Sequence, residues 1–68
     1  MTQCERILKY MEDFGSISTM QAFTDLGVTR LASRIHEIRR MGIKIIGEQR
    51  KGKNRYGEST HYTEYRMV

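Results

Sequence analysis

Apolar residues recur every three or four positions up to Gly42 and tend to alternate beyond it, so one glycine divides the chain into a helical part and a strand part. Before it, Thr2 with Glu5 forms a capping-box pattern. Ile7, Leu8, Met11 and Phe14 then run at helical spacing until Gly15, which predicts a helix over 2–14. Ser16-Ile17-Ser18 leaves room for no more than a short strand at 16–18. Ser18 with Gln21 repeats the capping box and opens a helix over 18–26, stopped by Gly27, with Ala22, Phe23 and Leu26 expected on its buried face. A third helix is expected over 29–41, with Thr29 as N-cap, Leu31, Ile35 and Ile38 as the apolar stripe and Gly42 as a left-handed stop. The β-branched run over 43–48 and the Tyr- and Thr-containing run over 60–67 read as strands, and the glycine-punctuated segment 49–59 as the loop between them.

The expected class is therefore α+β, three helices followed by a two-stranded hairpin, in a single domain over 1–68. With 68 residues the chain can close one core, and a thin one. Cys4 is the only cysteine, so no disulfide can hold the domain together, and a reducing cytoplasm is the expected compartment. No apolar run approaches the ~20 residues that a bilayer span requires, so no membrane partner is expected.

Net charge is +4, but its distribution is more informative than its sum. The segment from Arg30 to Arg55 holds Arg30, Arg34, Arg39, Arg40, Lys44, Arg50, Lys51, Lys53 and Arg55 against only Glu37 and Glu48, while the segments on either side are net acidic. One continuous basic stretch is the electrostatic footprint of a surface that approaches phosphates.

Ser18 to Ile35 has the layout of two helices joined by a short glycine-containing turn, with Ala22 small where the helices approach and Leu26, Val28 and Leu31 apolar around the turn. In such a helix-turn-helix the second helix projects into a DNA major groove. With Leu31, Ile35 and Ile38 buried, a helical wheel turns Arg30, Ser33, His36, Glu37 and Arg40 outward and sets Arg34 and Arg39 on the flanks. Arg suits guanine, Ser and Thr suit bases or phosphates, and Glu suits cytosine. The blander alternative is a solvated face on which Glu37 pairs with Arg30, Arg34 or Arg40. In the loop, Arg50, Lys51, Lys53, Asn54 and Arg55 can lie along a phosphate backbone or enter a minor groove, although a charged hairpin tip also serves solubility. Cys4, His36 and His61 are scattered, with no carboxylate cluster or metal-ligand spacing beside them, so no enzyme, metal site or cofactor is expected.

Two stretches, Cys4 to Met11 and Leu31 to Ile43, give the chain its resemblance to the small phage and bacterial winged helix-turn-helix proteins. In that family, positions matching Arg34, Ile35, Ile38 and Arg39 precede a glycine like Gly42 and then the first strand of the wing. The resemblance spans nearly the whole chain and implies a winged helix-turn-helix fold. The expected role is that of a phage or bacterial transcription regulator or a recombination accessory factor. Arg34 is also expected to serve the fold by bridging to a carboxylate of helix one.

The expectation is a non-catalytic protein that binds double-stranded DNA. Its recognition helix 29–41 would enter the major groove through Thr29, Arg30, Ser33, Arg34, Glu37 and Arg40, with Lys44 and the basic wing 49–57 on the backbone or minor groove. The alternative is a protein-interaction winged-helix module that docks on and inhibits a host or phage protein, through exposed residues such as Tyr10, Met20 and Tyr62. A thin core also leaves a homodimer open, with helix one as its interface.

Overall fold

The computed structural model describes residues 1–68 as α1 (Gln3–Phe14), β1 (Ile17–Ser18), α2 (Thr19–Leu26), α3 (Leu31–Arg40), β2 (Ile45–Lys53) and β3 (Ser59–Met67). Both capping boxes form. The Thr2 hydroxyl accepts from the Glu5 amide while the Glu5 carboxylate accepts from the Thr2 amide, and Ser18 and Gln21 make the same exchange. At the end of α2, Gly27 adopts φ 69° and its N–H donates to the Phe23 carbonyl, and the Val28 N–H follows by donating to Ala22 at 2.9 Å. A left-handed residue is needed there to turn Val28 back into the core, and only glycine takes that conformation without strain.

The sheet is antiparallel in the order β1-β3-β2, with Ile17 opposite Tyr65 and a ladder from Ile45 opposite Met67 to Lys53 opposite Ser59. The core gathers Ile7 and Met11 of α1, Ile17, Ala22, Val28, the Leu31–Ile35–Ile38 stripe of α3, and Ile45 at the root of the hairpin. Each fully buried Ile or Leu contributes roughly 1.5–3 kcal/mol by leaving water. That burial fixes α3 against α1 and the sheet, while β2 and β3 run on past the core and stretch the molecule to 39 Å by about 22 Å.

Four details depart from the expectations. The first is Phe23, which is 57 % exposed. An eight-residue helix has two turns, and α2 spends them burying Ala22 and half-burying Leu26, one turn apart, which leaves Phe23 about 80° from the middle of that stripe. The second is the cap of α3: the helix begins at Leu31 with Arg30 at the N-cap position and no side-chain cap bond, so Thr29 does not cap it. Burying both Val28 and Leu31 makes Thr29 and Arg30 the outer corner of the turn.

The third concerns the hairpin. β2 covers 45–53 rather than 43–48, and the loop shrinks from 49–59 to 54–58. Residues 49–53 carry no apolar alternation because both faces there meet water, yet each of them still stands opposite a residue of β3. Periodicity reports burial and is silent about a ladder. Finally, Arg34 bridges to Glu37 of its own helix and not to a helix-one carboxylate.

Candidate nucleic-acid interface

Three of the four sides of α3 are committed to the fold. Leu31, Ile35 and Ile38 face the core. On the α1 side, the Arg34 guanidinium lies 3.1 Å from the Glu37 carboxylate, which also accepts from the Cys4 thiol at 3.4 Å. Desolvation, and then the Glu37 carboxylate, push the Cys4 thiol above its ordinary value, so the thiol stays protonated in that cluster. On the sheet side, Arg39 donates from Nε and Nη2 to the Ile45 carbonyl at 3.3 and 2.9 Å, fastening the end of α3 to the start of β2. The remaining side presents Ala32, Ser33, His36 and Arg40 to solvent, with Thr29 and Arg30 leading into it.

The hairpin divides its charges in a similar way. Alternation along β2 and β3 places Glu48, Arg50, Tyr62, Glu64 and Arg66 on one face. Arg66 donates to Glu48 in a short bond, and Arg50 reaches Glu48 at 3.1 Å and Glu64 at 3.7 Å. The bond from Arg66, seconded by its charge, holds the Glu48 carboxyl below its ordinary range. Two arginines and two glutamates thus cancel at the base of the wing. Further out, Lys51, Lys53 and Arg55 are exposed and have no carboxylate within ion-pair distance.

Asn54 organises the tip itself. Its Oδ1 accepts from the amides of Tyr56 and Glu58 at 2.9 and 3.0 Å, and its Nδ2 donates to the Glu58 carboxylate at 3.3 Å. The side chain mimics a backbone turn and is spent on doing so.

Of the residues that the sequence nominated, the fold therefore groups Thr29, Arg30, Ser33 and Arg40 on the open side of α3, and Lys51, Lys53 and Arg55 at the wing tip. Lys44 is exposed just ahead of β2. Arg34, Glu37, Arg50 and Asn54 are occupied by internal partners. The sequence could not sort them, because which arginine faces which carboxylate depends on strand register and helix contacts. Tyr10, Met20 and Tyr62 do not form one patch: Met20 and Tyr62 line an open groove with Thr19, Phe23 and Thr29, whereas Tyr10 lies on the far side of α2, its hydroxyl bonded to Asp25 at 2.6 Å. That bond raises the Tyr10 hydroxyl above its ordinary value.

No group of three or more His, Cys, Asp or Glu side chains comes together as a metal site would require, and no helix is long and apolar enough to cross a membrane. The profile of the winged helix-turn-helix domain family matches residues 2–68. No curated protein and no solved structure matches the chain. A match over nearly every residue, on a chain that folds as three helices with the second and third joined by a tight turn and followed by a hairpin wing, establishes that this protein belongs to the winged helix-turn-helix domain family.

Proposed function

We propose that this domain binds duplex DNA as a regulator of transcription or an accessory to recombination. Thr29, Arg30, Ser33 and Arg40 face the major groove, and Lys51, Lys53 and Arg55 lie on the phosphate backbone or in the adjacent minor groove. The observation that carries the reading is the partition of the basic segment. Its unpaired cations, Arg30, Arg40, Lys44, Lys51, Lys53 and Arg55, lie on the open side of α3, just ahead of β2 and at the wing tip, whereas Arg34 and Arg50 are neutralised in place and Arg39 is turned to a carbonyl. A surface that served solubility alone would have no need to keep its free charge off the structural pairs.

The test is a salt titration of binding to a mixed-sequence duplex by fluorescence anisotropy. Each phosphate contact adds about 0.9 to the slope of log K against log salt. Replacing Lys51, Lys53 and Arg55 together by alanine is expected to flatten that slope by about 2.7, whereas Arg50→Ala leaves it nearly unchanged. Equal flattening by both variants refutes the partition, and absence of binding at low salt refutes DNA as the target.

A further inference from the structure

The two faces of the outer hairpin differ in kind. Strand alternation puts Glu48, Arg50, Tyr62 and Glu64 on one face and Gln49, Lys51, Lys53, Ser59, His61 and Thr63 on the other. The first face neutralises itself, with Arg50 held between Glu48 and Glu64. The second holds no carboxylate. Its inner edge is closed by a bond from the Gln49 side-chain amide to the Thr63 hydroxyl at 3.0 Å, and beyond that bond Lys51, Lys53, Ser59 and His61 are all exposed. Neither lysine nor the histidine has an acidic partner within ion-pair distance.

His61 stands directly opposite Lys51 in the ladder, about 5 Å away from backbone to backbone, and Lys53 follows about 7 Å further along β2. Like charges set opposite one another weaken a ladder, so this face gathers cationic and donor groups against the interest of the hairpin itself. An imidazole can take such a position because it donates one N–H even when neutral and becomes a cation when a neighbouring anion favours the proton. The charged groups that share its face are Lys51 and Lys53, and Glu58 at the tip is bonded to Asn54. Donors spread over such distances along a flat ladder suit a line of phosphates, which contributes charge at every step of a strand, better than one compact anion.

We propose that His61 is a phosphate ligand, joining Lys51 and Lys53 so that the DNA backbone lies across the face of the wing that carries all three. The proposal rests on the DNA-binding reading, which supplies the polyanion, and adds to it a contact residue from β3. The strand register carries it: a histidine distant in sequence from the basic segment is set beside two of that segment's unpaired lysines, and away from the arginine that is already neutralised.

The experiment measures the salt slope of binding to one mixed-sequence duplex at about pH 5.5 and about pH 8, on either side of the range in which imidazoles titrate. The chains compared are the intact protein, His61→Gln and His61→Lys. His61 is exposed, and circular dichroism at both pH values confirms that each chain is folded. Acidification is expected to steepen the slope of the intact chain by about 0.9 more than that of His61→Gln, the effect of one phosphate contact. His36 on the open side of α3, like every other titrating group, is common to both chains and drops out of the difference. At the higher pH His61→Lys is expected to exceed the intact chain by the same amount, about 0.9, and at the lower pH to match it. If His61→Gln steepens with acid as much as the intact chain, or His61→Lys adds nothing at the higher pH, the proposal is overturned while the DNA reading stands. Absence of binding at low salt at both pH values overturns the DNA reading, and the proposal with it.

Discussion

Arg39 and Arg40 are adjacent and chemically identical, yet the fold gives them opposite work. The guanidinium of Arg39 has both donors on the Ile45 carbonyl, and that of Arg40 points into solvent from the open side of α3. Arg39→Ala is therefore expected to cost about 1–2 kcal/mol of stability in a denaturant melt while leaving the salt slope of DNA binding intact, and Arg40→Ala to do the reverse. A melt that shifts equally for both would sink this assignment. Lysine at 39 restores only part of the loss, because a single ammonium cannot reproduce the two-pronged bond. At this scale little could be read in advance. The wheel placed Arg39 on a flank, but the carbonyl it meets belongs to a residue whose position depends on the turn at Gly42. The Arg34–Glu37 pair, three residues apart on one helix, was among the alternatives the sequence offered, whereas the absorption of Asn54 into the tip was not.

Helices and hairpin differ in how openly they announce themselves. The capping boxes at Thr2–Glu5 and Ser18–Gln21 and the stripe Leu31–Ile35–Ile38 involve neighbours in sequence, and all three appear in the fold as written. The hairpin's extent depends on pairing between residues distant along the chain, and the polar half of β2 left no apolar trace. Its base also carries a pH response. Because Glu48 is held below its ordinary carboxylate range, its contribution is fully present above the reference value of 4.5 and is lost as pH falls through the lower value it has in the fold. An NMR titration of the side-chain carboxyls should place Glu48 below the ordinary glutamate value, and Arg66→Gln should return it most of the way. A Glu48 midpoint at the ordinary position in the intact chain would contradict the geometry at the wing base.

For the molecule as a whole, nine buried apolar residues hold everything in register. At roughly 0.05–0.15 kcal/mol per residue, a chain of this length has only several kcal/mol of net stability. Ile35→Ala, at a site 1 % exposed on the helix that carries the candidate contacts, is expected to remove about 2–5 kcal/mol and to leave the chain largely unfolded near 37 °C, as followed by circular dichroism. A melt within a few degrees of the parent would mean the core is less continuous than it looks. The thinness of this core was legible from length alone. The placement of the free charge was not, since it took the complete fold to separate the arginines that hold the domain together from those left over.

The neutral collar of Glu48, Arg50, Glu64 and Arg66 has a consequence in time. It parts the cations of the tip from those of α3, at the end of an arm of about 30 Å. Charge at the far end of a projecting arm meets a polyanion first and sets how often encounters succeed, whereas close contacts at α3 set how long a successful one lasts. In stopped-flow measurements, alanine at Lys51, Lys53 and Arg55 should therefore slow arrival and barely alter departure, and alanine at Arg30 and Ser33 should hasten departure and barely alter arrival. A domain of this size would then search with one part of its surface and settle with another.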